Sequence, residues 1–156
     1  IKSSAASDVY KRQLSASHFI FMAIPAQTDI HYWEALYQKE KADGRYVEWN
    51  STERPDLLRM NYAKQFCADK NRWFLYASNQ TYLAAGCLTV AAAQMGIDST
   101  LLGGVDFELL DRILGLESKG QRTILGIALG YRASDDRNAS RPKSRWDADQ
   151  VIHYVK

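Results

Sequence analysis

Between Arg72 and Asp98 the chain carries no aspartate, glutamate, lysine or arginine. A stretch that long without charge demands burial, and its composition says in what form. Residues 82–95 read YLAAGCLTVAAAQM, rich in strong helix formers, and Gly96 stands where a left-handed C-terminal cap would fall. The pattern predicts a helix over residues 74–95. It is apolar or small on every side, the mark of a helix enclosed by protein or of a membrane span. Asn79, Gln80, Thr81, Thr89 and Gln94 argue against lipid, where uncompensated amides are costly. Ala84, Ala85, Ala91 and Ala92 permit close approach of another helix, so a core or subunit-interface helix is expected.

Strands and helices alternate around this segment. The apolar run 19–24, closed by Pro25, predicts a buried strand. Thr28 or Asp29 can cap a helix to about Ala42, with Trp33, Leu36 and Tyr37 on one face and Gly44 beyond its end. Pro55 suits the first turn of a second helix, in which Leu58, Tyr62 and Phe66 recur every four residues. After the central helix, residues 100–102 make a short strand before Gly103 and Gly104. Asp106 caps a helix whose Leu109, Leu110, Ile113 and Leu114 should face inward. Residues 123–131 predict a central strand, its glycines letting a ligand or another backbone come close, and residues 151–155 a terminal strand. The pattern is α+β, with too few strands for a doubly wound sheet.

Composition narrows the class further. At 156 residues the chain is one domain's worth. Its net charge of +2 comes entirely from Lys2, Lys11 and Arg12 against Asp8, so nothing points to nucleic acid or a membrane surface. Cys67 and Cys87 show neither metal-ligand nor disulfide-framework spacing, which predicts two buried thiols in a reducing cytoplasm and no metal site. Residues 8–13, DVYKRQ, back-translate as GAT GTG TAT AAG AGA CAG, which looks like a transposase adapter used to make sequencing libraries. Residues 1–13 are therefore expected to be a sequencing scar, and residues 14–156 the natural sequence.

Two places carry potential chemistry. Lys143 and Arg145, separated by Ser144 in an extended segment after Arg141 and Pro142, project from one side and can clamp a phosphate; a solvated loop has the same composition. Gly103 and Gly104, after a strand, offer bare backbone amides to a planar ligand, or simply make a turn.

In their order and surroundings these residues resemble the nitroreductase family of flavoproteins, in the branch of oxygen-insensitive NAD(P)H nitroreductases and dihydropteridine reductases. The resemblance runs from Ser15-Ala16-Ser17-His18 through Ala42-Asp43-Gly44-Arg45-Tyr46, Tyr82-Leu83, Gly96-Ile97-Asp98 and residues 107–116. It ends on Asn138-Ala139 and, most specifically, Pro142-Lys143-Ser144-Arg145.

The resemblance implies a nitroreductase-like fold: a mostly antiparallel sheet flanked by helices, with the long uncharged helix at the interface of a cytoplasmic homodimer that holds FMN. It implies that Lys143, Ser144 and Arg145 bind the FMN phosphate, and that Leu101, Gly103 and Gly104 lie against the flavin ring. There the family's Pro-x-Glu-Gly turn reads Leu101-Leu102-Gly103-Gly104, which removes a carboxylate and a stiffening proline. Arg45 matches a family arginine near the nicotinamide, and Tyr62 an aromatic residue over the substrate pocket. The family's opening Arg-x-Ser-x-Lys segment and its flavin-wrapping loop precede the point where the resemblance begins, so residues 14–156 correspond to the C-terminal two-thirds of one domain. The implied activity is ping-pong hydride transfer from NAD(P)H through flavin N5 to nitroaromatics, quinones or pterins, with no catalytic side chain. A flavin reductase, a reductive dehalogenase or a non-catalytic flavin-binding dimer are the alternatives.

Overall fold

The computed structural model describes residues 16–46, 55–136 and 140–155, with the side chains of residues 55–57 excepted. Three strands form an antiparallel sheet in the order β1-β3-β2: β1 is His18–Pro25, β2 is Asp98–Leu102 and β3 is Gln121–Gly130. β3 is central because its run of Leu125, Gly126, Ile127 and Ala128 is buried, as a strand flanked on both edges requires. His18 pairs with Leu129 and Pro25 with Gln121, but the register slips between Met22 and Ala23, leaving Ile124 as an extra residue in β3. A Cβ on Gly126 would sit 3.2 Å from both Leu102 Cβ and Phe21 Cε1. The closeness expected at that glycine is therefore used by side chains of the two neighbouring strands.

Helix α1, Ile30–Ala42, begins at Asp29, whose side chain accepts the Tyr32 N–H at 2.9 Å, and it buries Trp33. Helix α2 is Pro55–Ala68. Its inward residues are Ala63, fully buried, with Met60, Phe66 and Cys67 packed beside it. The expected stripe is corrected here, since Leu58 and Tyr62 are 60% and 65% exposed. Four residues span about 400° of helix, so a strict every-four stripe drifts about 40° per repeat and only Phe66 reaches the core.

Helix α3, Lys70–Gln94, starts earlier than its apolar run because Asp69 caps it, accepting from Asn71 N and Arg72 N. It ends as expected: Gly96 takes φ 72°, and Ile97 N donates to Ala92 O at 2.9 Å. Trp73, Ala77, Thr81 and Ala85, four apart, are buried with Ser78 and Ala92. The opposite side, including Leu75, Leu83 and Val90, is exposed. The single chain thus encloses one face of a helix whose composition suggested enclosure all round. Among the described residues no helix is long and apolar enough to cross a membrane.

Two clusters hold these elements together. In one, Trp33, Trp73 and Phe66 interlock around Ile24, Ala63 and Ala77; Trp33 stacks on Phe66 at 5.7 Å between ring centroids, and Trp73 meets Trp33 edge-on. Trp73 Nε1 donates to Pro25 O at 2.8 Å, tying α3 to the end of β1. In the other cluster, Ala85 of α3 lies on Leu125 and Ile127. Ile124 packs against both.

Helix α4, Phe107–Ile113, is capped by Asp106, which accepts from Leu109 N at 3.0 Å. Of the four residues expected to face inward only Leu110 is half-buried: Leu109 and Leu114 are exposed and Ile113 is 71% exposed, whereas Asp111 is buried. The cause is the sheet edge. β2 stops at Leu102, opposite Gly126, so the earlier part of β3 has no strand there, and Asp111 accepts the Thr123 N–H at 3.0 and 3.1 Å and its Oγ1–H at 2.5 Å. The expected terminal strand is also corrected. Asp147 and Gln150 form a capping box that starts a one-turn helix, α5, Ala148–Val151, and residues 152–155 follow in irregular, exposed chain without a ladder.

Candidate functional site

The short strand β2 separates two candidate regions. Four steps of about 3.3 Å put its ends about 13 Å apart. At its start, Asp98 and Arg132 form a bidentate pair, with both N–H···O distances 2.8 Å, beside a cavity of about 300 Å³ lined by Ser17, Thr100, Gly130 and Asp136. The Arg132 hydrogen bond holds the Asp98 carboxyl below its ordinary range despite partial burial, and the charges of Arg132 and Lys143 add to this. Lys143, Ser144 and Arg145 lie in irregular, exposed chain, and Arg145 Nη1 donates to Ser144 O at 2.6 Å. Among the described residues neither Lys143 nor Arg145 is in an ion pair. Neither cation is thus held against a carboxylate there, which leaves both able to meet an anion.

At the other end of β2 come Gly103 and Gly104, with no atom within 4 Å of where a Cβ would stand on either. Their backbone is open to a flat ligand, and Leu101 is half exposed on β2 opposite Ile127. Next to this turn lies a cavity of about 590 Å³ lined by Phe74, Ser78 and Tyr82 of α3, residues 105–108 and Arg122–Ile124 of β3. Arg122 sits 4.5 Å above the Phe74 ring, and Ser78 Oγ is buried with no hydrogen-bond partner. Neither residue stood out in the sequence, because no spacing rule marks a lone serine inside an apolar helix or an arginine at a strand's start.

Arg45 and Tyr62 lie elsewhere. Arg45 Nη1 is 3.6 Å from Glu40 Oε1 at the end of α1, and Glu40 also accepts from Tyr46 at 2.7 Å and pairs with Arg59 of α2. Burial raises the Glu40 carboxyl, but the hydrogen bonds from Tyr46 and Arg59 and the charges of Arg59 and Arg45 outweigh it and hold the group below its ordinary value. Arg59 thus joins α2 to α1 through Glu40, Arg45 lies against the same carboxylate just beyond α1, and Tyr62 lies exposed on α2, one turn beyond Arg59. No described cavity is lined by these residues together with the two ends of β2. The cysteines also depart from expectation: Cys67 is half-buried, its thiol raised by burial and by the Asp29 charge, and Cys87 is exposed. Residues 14, 15, 138 and 139, which belong to the family resemblance, and residues 1–13 lie outside the described residues.

Comparison with known proteins agrees with this architecture. Residues 57–131 match the family model described as the nitroreductase family. The chain is 30% identical over 148 residues to an oxygen-insensitive NAD(P)H nitroreductase of Salmonella typhimurium, covering 93% of this chain and 67% of the relative. It is 31% identical to the major NAD(P)H-flavin oxidoreductase of Aliivibrio fischeri, covering 88% of this chain and 63% of that protein. The chain thus spans about two thirds of the length of these relatives. A solved structure from Staphylococcus epidermidis, assigned as an NAD(P)H:FMN oxidoreductase, superposes with a TM-score of 0.67 at 22% identity, over 92% of this chain and 64% of that one, which establishes the fold. The antiparallel sheet, the long helix beside it and the relationship to the Salmonella enzyme lead to one assignment: this chain belongs to the nitroreductase family.

Proposed function

We propose that the natural protein is an FMN-dependent NAD(P)H oxidoreductase that acts as a cytoplasmic homodimer, and that residues 14–156 supply the C-terminal two-thirds of its domain. The observation that carries the reading is Lys143, whose charge reaches Asp98 at one end of β2 and which is two residues from Arg145, taken with the bare backbone of Gly103 and Gly104 at the other end. That donor set fits FMN, which is elongated, dianionic at one end and flat at the other. When bound, FMN would supply the two-electron chemistry between NAD(P)H and a nitroaromatic, quinone or pterin acceptor. The chain's own part is to bind and orient. Lys143 and Arg145 hold the phosphate, with Ser144 between them; Gly103 and Gly104 present amides to the ring; Leu101, half exposed on β2, offers apolar surface beside it. Arg45 and Tyr62 would serve the nicotinamide or acceptor from a partner subunit, since their own chain keeps them outside the described cavities. The exposed apolar side of α3, with Leu75, Leu83 and Val90, is the surface such a subunit would cover.

The test uses the protein extended at its N-terminus to the length of its relatives. Purified, it should be yellow, bleach with NADPH and recover colour with a quinone. Replacing Lys143 or Arg145 with alanine should weaken FMN by about 1.5–3 kcal/mol, the scale of a hydrogen bond to a charged group, and leave riboflavin nearly unchanged. Equal weakening of the two flavins in Arg145→Ala would remove the phosphate assignment.

A further inference from the structure

Asp98 is the first residue of β2 and lies opposite Gly130, the last of β3. Arg132, two residues beyond that strand, donates Nε to one carboxylate oxygen and Nη2 to the other, the parallel fork that fixes a guanidinium in one plane. Arg132 Nε also lies 4.0 Å from Asp136 Oδ2. The chain leaving β3 is thereby tied back to the neighbouring strand at its root, and this is the chain that carries Lys143 and Arg145. The Lys143 charge reaches the same carboxylate. Both members of the pair are about half exposed, so solvent screens it and its contribution to fold stability is small. Its geometric effect, fixing the direction in which the chain leaves β3 over residues 131–136, does not depend on a large energy.

We propose that Asp98 is the positioning residue of the phosphate clamp: it fixes Arg132, and with it the segment bearing Lys143 and Arg145, in an arrangement ready for a phosphate monoester. The inference rests on the clamp reading of those two cations. It also opposes simple charge counting. If Asp98 only placed a negative charge beside the clamp, Asp98→Asn would make the site more positive and tighten a dianion. If Asp98 positions the clamp, the substitution breaks the fork, binding must order the segment afresh, and the dianion is held less tightly.

Dissociation constants for FMN and riboflavin, measured by flavin fluorescence on the N-terminally extended protein, decide between the two. Asp98→Asn is expected to weaken FMN by about fivefold or more while riboflavin changes by less than about twofold. Unchanged or tighter FMN binding overturns the proposal, and so does equal weakening of both flavins, which is what a merely structural role would give. Arg132→Lys keeps the charge and loses the fork. It should show the same selective loss, and it decides the matter if Asp98→Asn does not fold; wild-type affinity for both flavins in Arg132→Lys overturns the proposal. Lys143→Ala separates this inference from its premise. If that variant leaves the ratio of FMN to riboflavin affinity unchanged, the clamp itself is wrong; if it collapses the ratio and Asp98→Asn does not, the clamp stands and the positioning role falls.

Discussion

Replacing Asp111 with alanine tests how α4 is fastened to the sheet. Asp111 is 6% exposed and Thr123 4% exposed, and they share three contacts: Thr123 N at 3.0 and 3.1 Å from the two carboxylate oxygens, and Thr123 Oγ1 at 2.5 Å from one of them. The two N–H contacts are one bifurcated bond, so two donors lose their acceptor. A buried donor left unsatisfied costs about 1–3 kcal/mol, and a hydrogen bond to a charged group contributes about 1.5–3 kcal/mol. Two such losses overlap rather than add, which places Asp111→Ala at about 3–5 kcal/mol, a large part of an ordinary domain's stability. Asp111→Asn keeps one acceptor oxygen and should cost about half as much. In Thr123→Val the hydroxyl is gone, so adding Asp111→Ala should cost about 1–2 kcal/mol less than in the parent. Urea midpoints give the equilibrium values, and amide exchange at Thr123 gives the local one. A loss below about 0.5 kcal/mol in Asp111→Ala, or strict additivity with Thr123→Val, would refute the account of how this sheet edge is satisfied.

Glu40 should give the fold an acid-side sensitivity. Its carboxyl is held below the ordinary value of 4.5, so its stabilisation is fully present above that pH and is lost as pH falls through the folded-state value; Glu40→Gln should flatten the fall in urea midpoint between about pH 5 and pH 3, and an unchanged slope counts against it. Gly126→Ala places a Cβ 3.2 Å from Leu102 and Phe21 and should destabilise by about 1–3 kcal/mol, partly recovered by Phe21→Leu, as thermal melting would show. Residues 1–156 expressed alone should lose FMN on dialysis and oxidise NADPH no faster than free flavin, because the clamp and the glycine turn are too few contacts at about 1.4 kcal/mol per tenfold in affinity; a yellow, active dimer would refute this.

The parts of the fold legible in the sequence were those set by local chemistry. Asp29 and Asp106 cap where their side chains predict, Gly96 ends α3 with positive φ, and the run 123–131 is the central strand. What escaped depends on partners distant in sequence. Asp69 lengthens α3 toward its N-terminus, but it sits in a charged stretch that gives no apolar signal. Leu109 and Ile113 have the spacing of a core face, yet the unsatisfied edge of β3 turns Asp111 inward instead. Residues 151–155 have strand composition, and composition alone supplies no neighbouring edge. For the candidate site, the sequence pointed to Lys143, Arg145, Gly103 and Gly104 and was silent on Arg132, whose role exists only because β2 and β3 lie side by side.

The extra residue in β3 has a genetic corollary. Ile124 packs against both core clusters while its neighbour Leu125 is buried in one of them, so the inward and outward alternation changes phase at that point. Residues 121–123 keep step with Pro25, Ile24 and Ala23 because Ile124 is skipped and takes no partner on β1. Losing the codon for Ile124 would close the bulge and leave every β1–β3 pair in place, whereas losing one of residues 126–128 would draw Ile124 into the ladder and shift the residues between by one place. Among related genes, one-residue length changes within β3 should therefore be confined to the bulge, and where Ile124 is present but substituted, the substitution should keep its bulk.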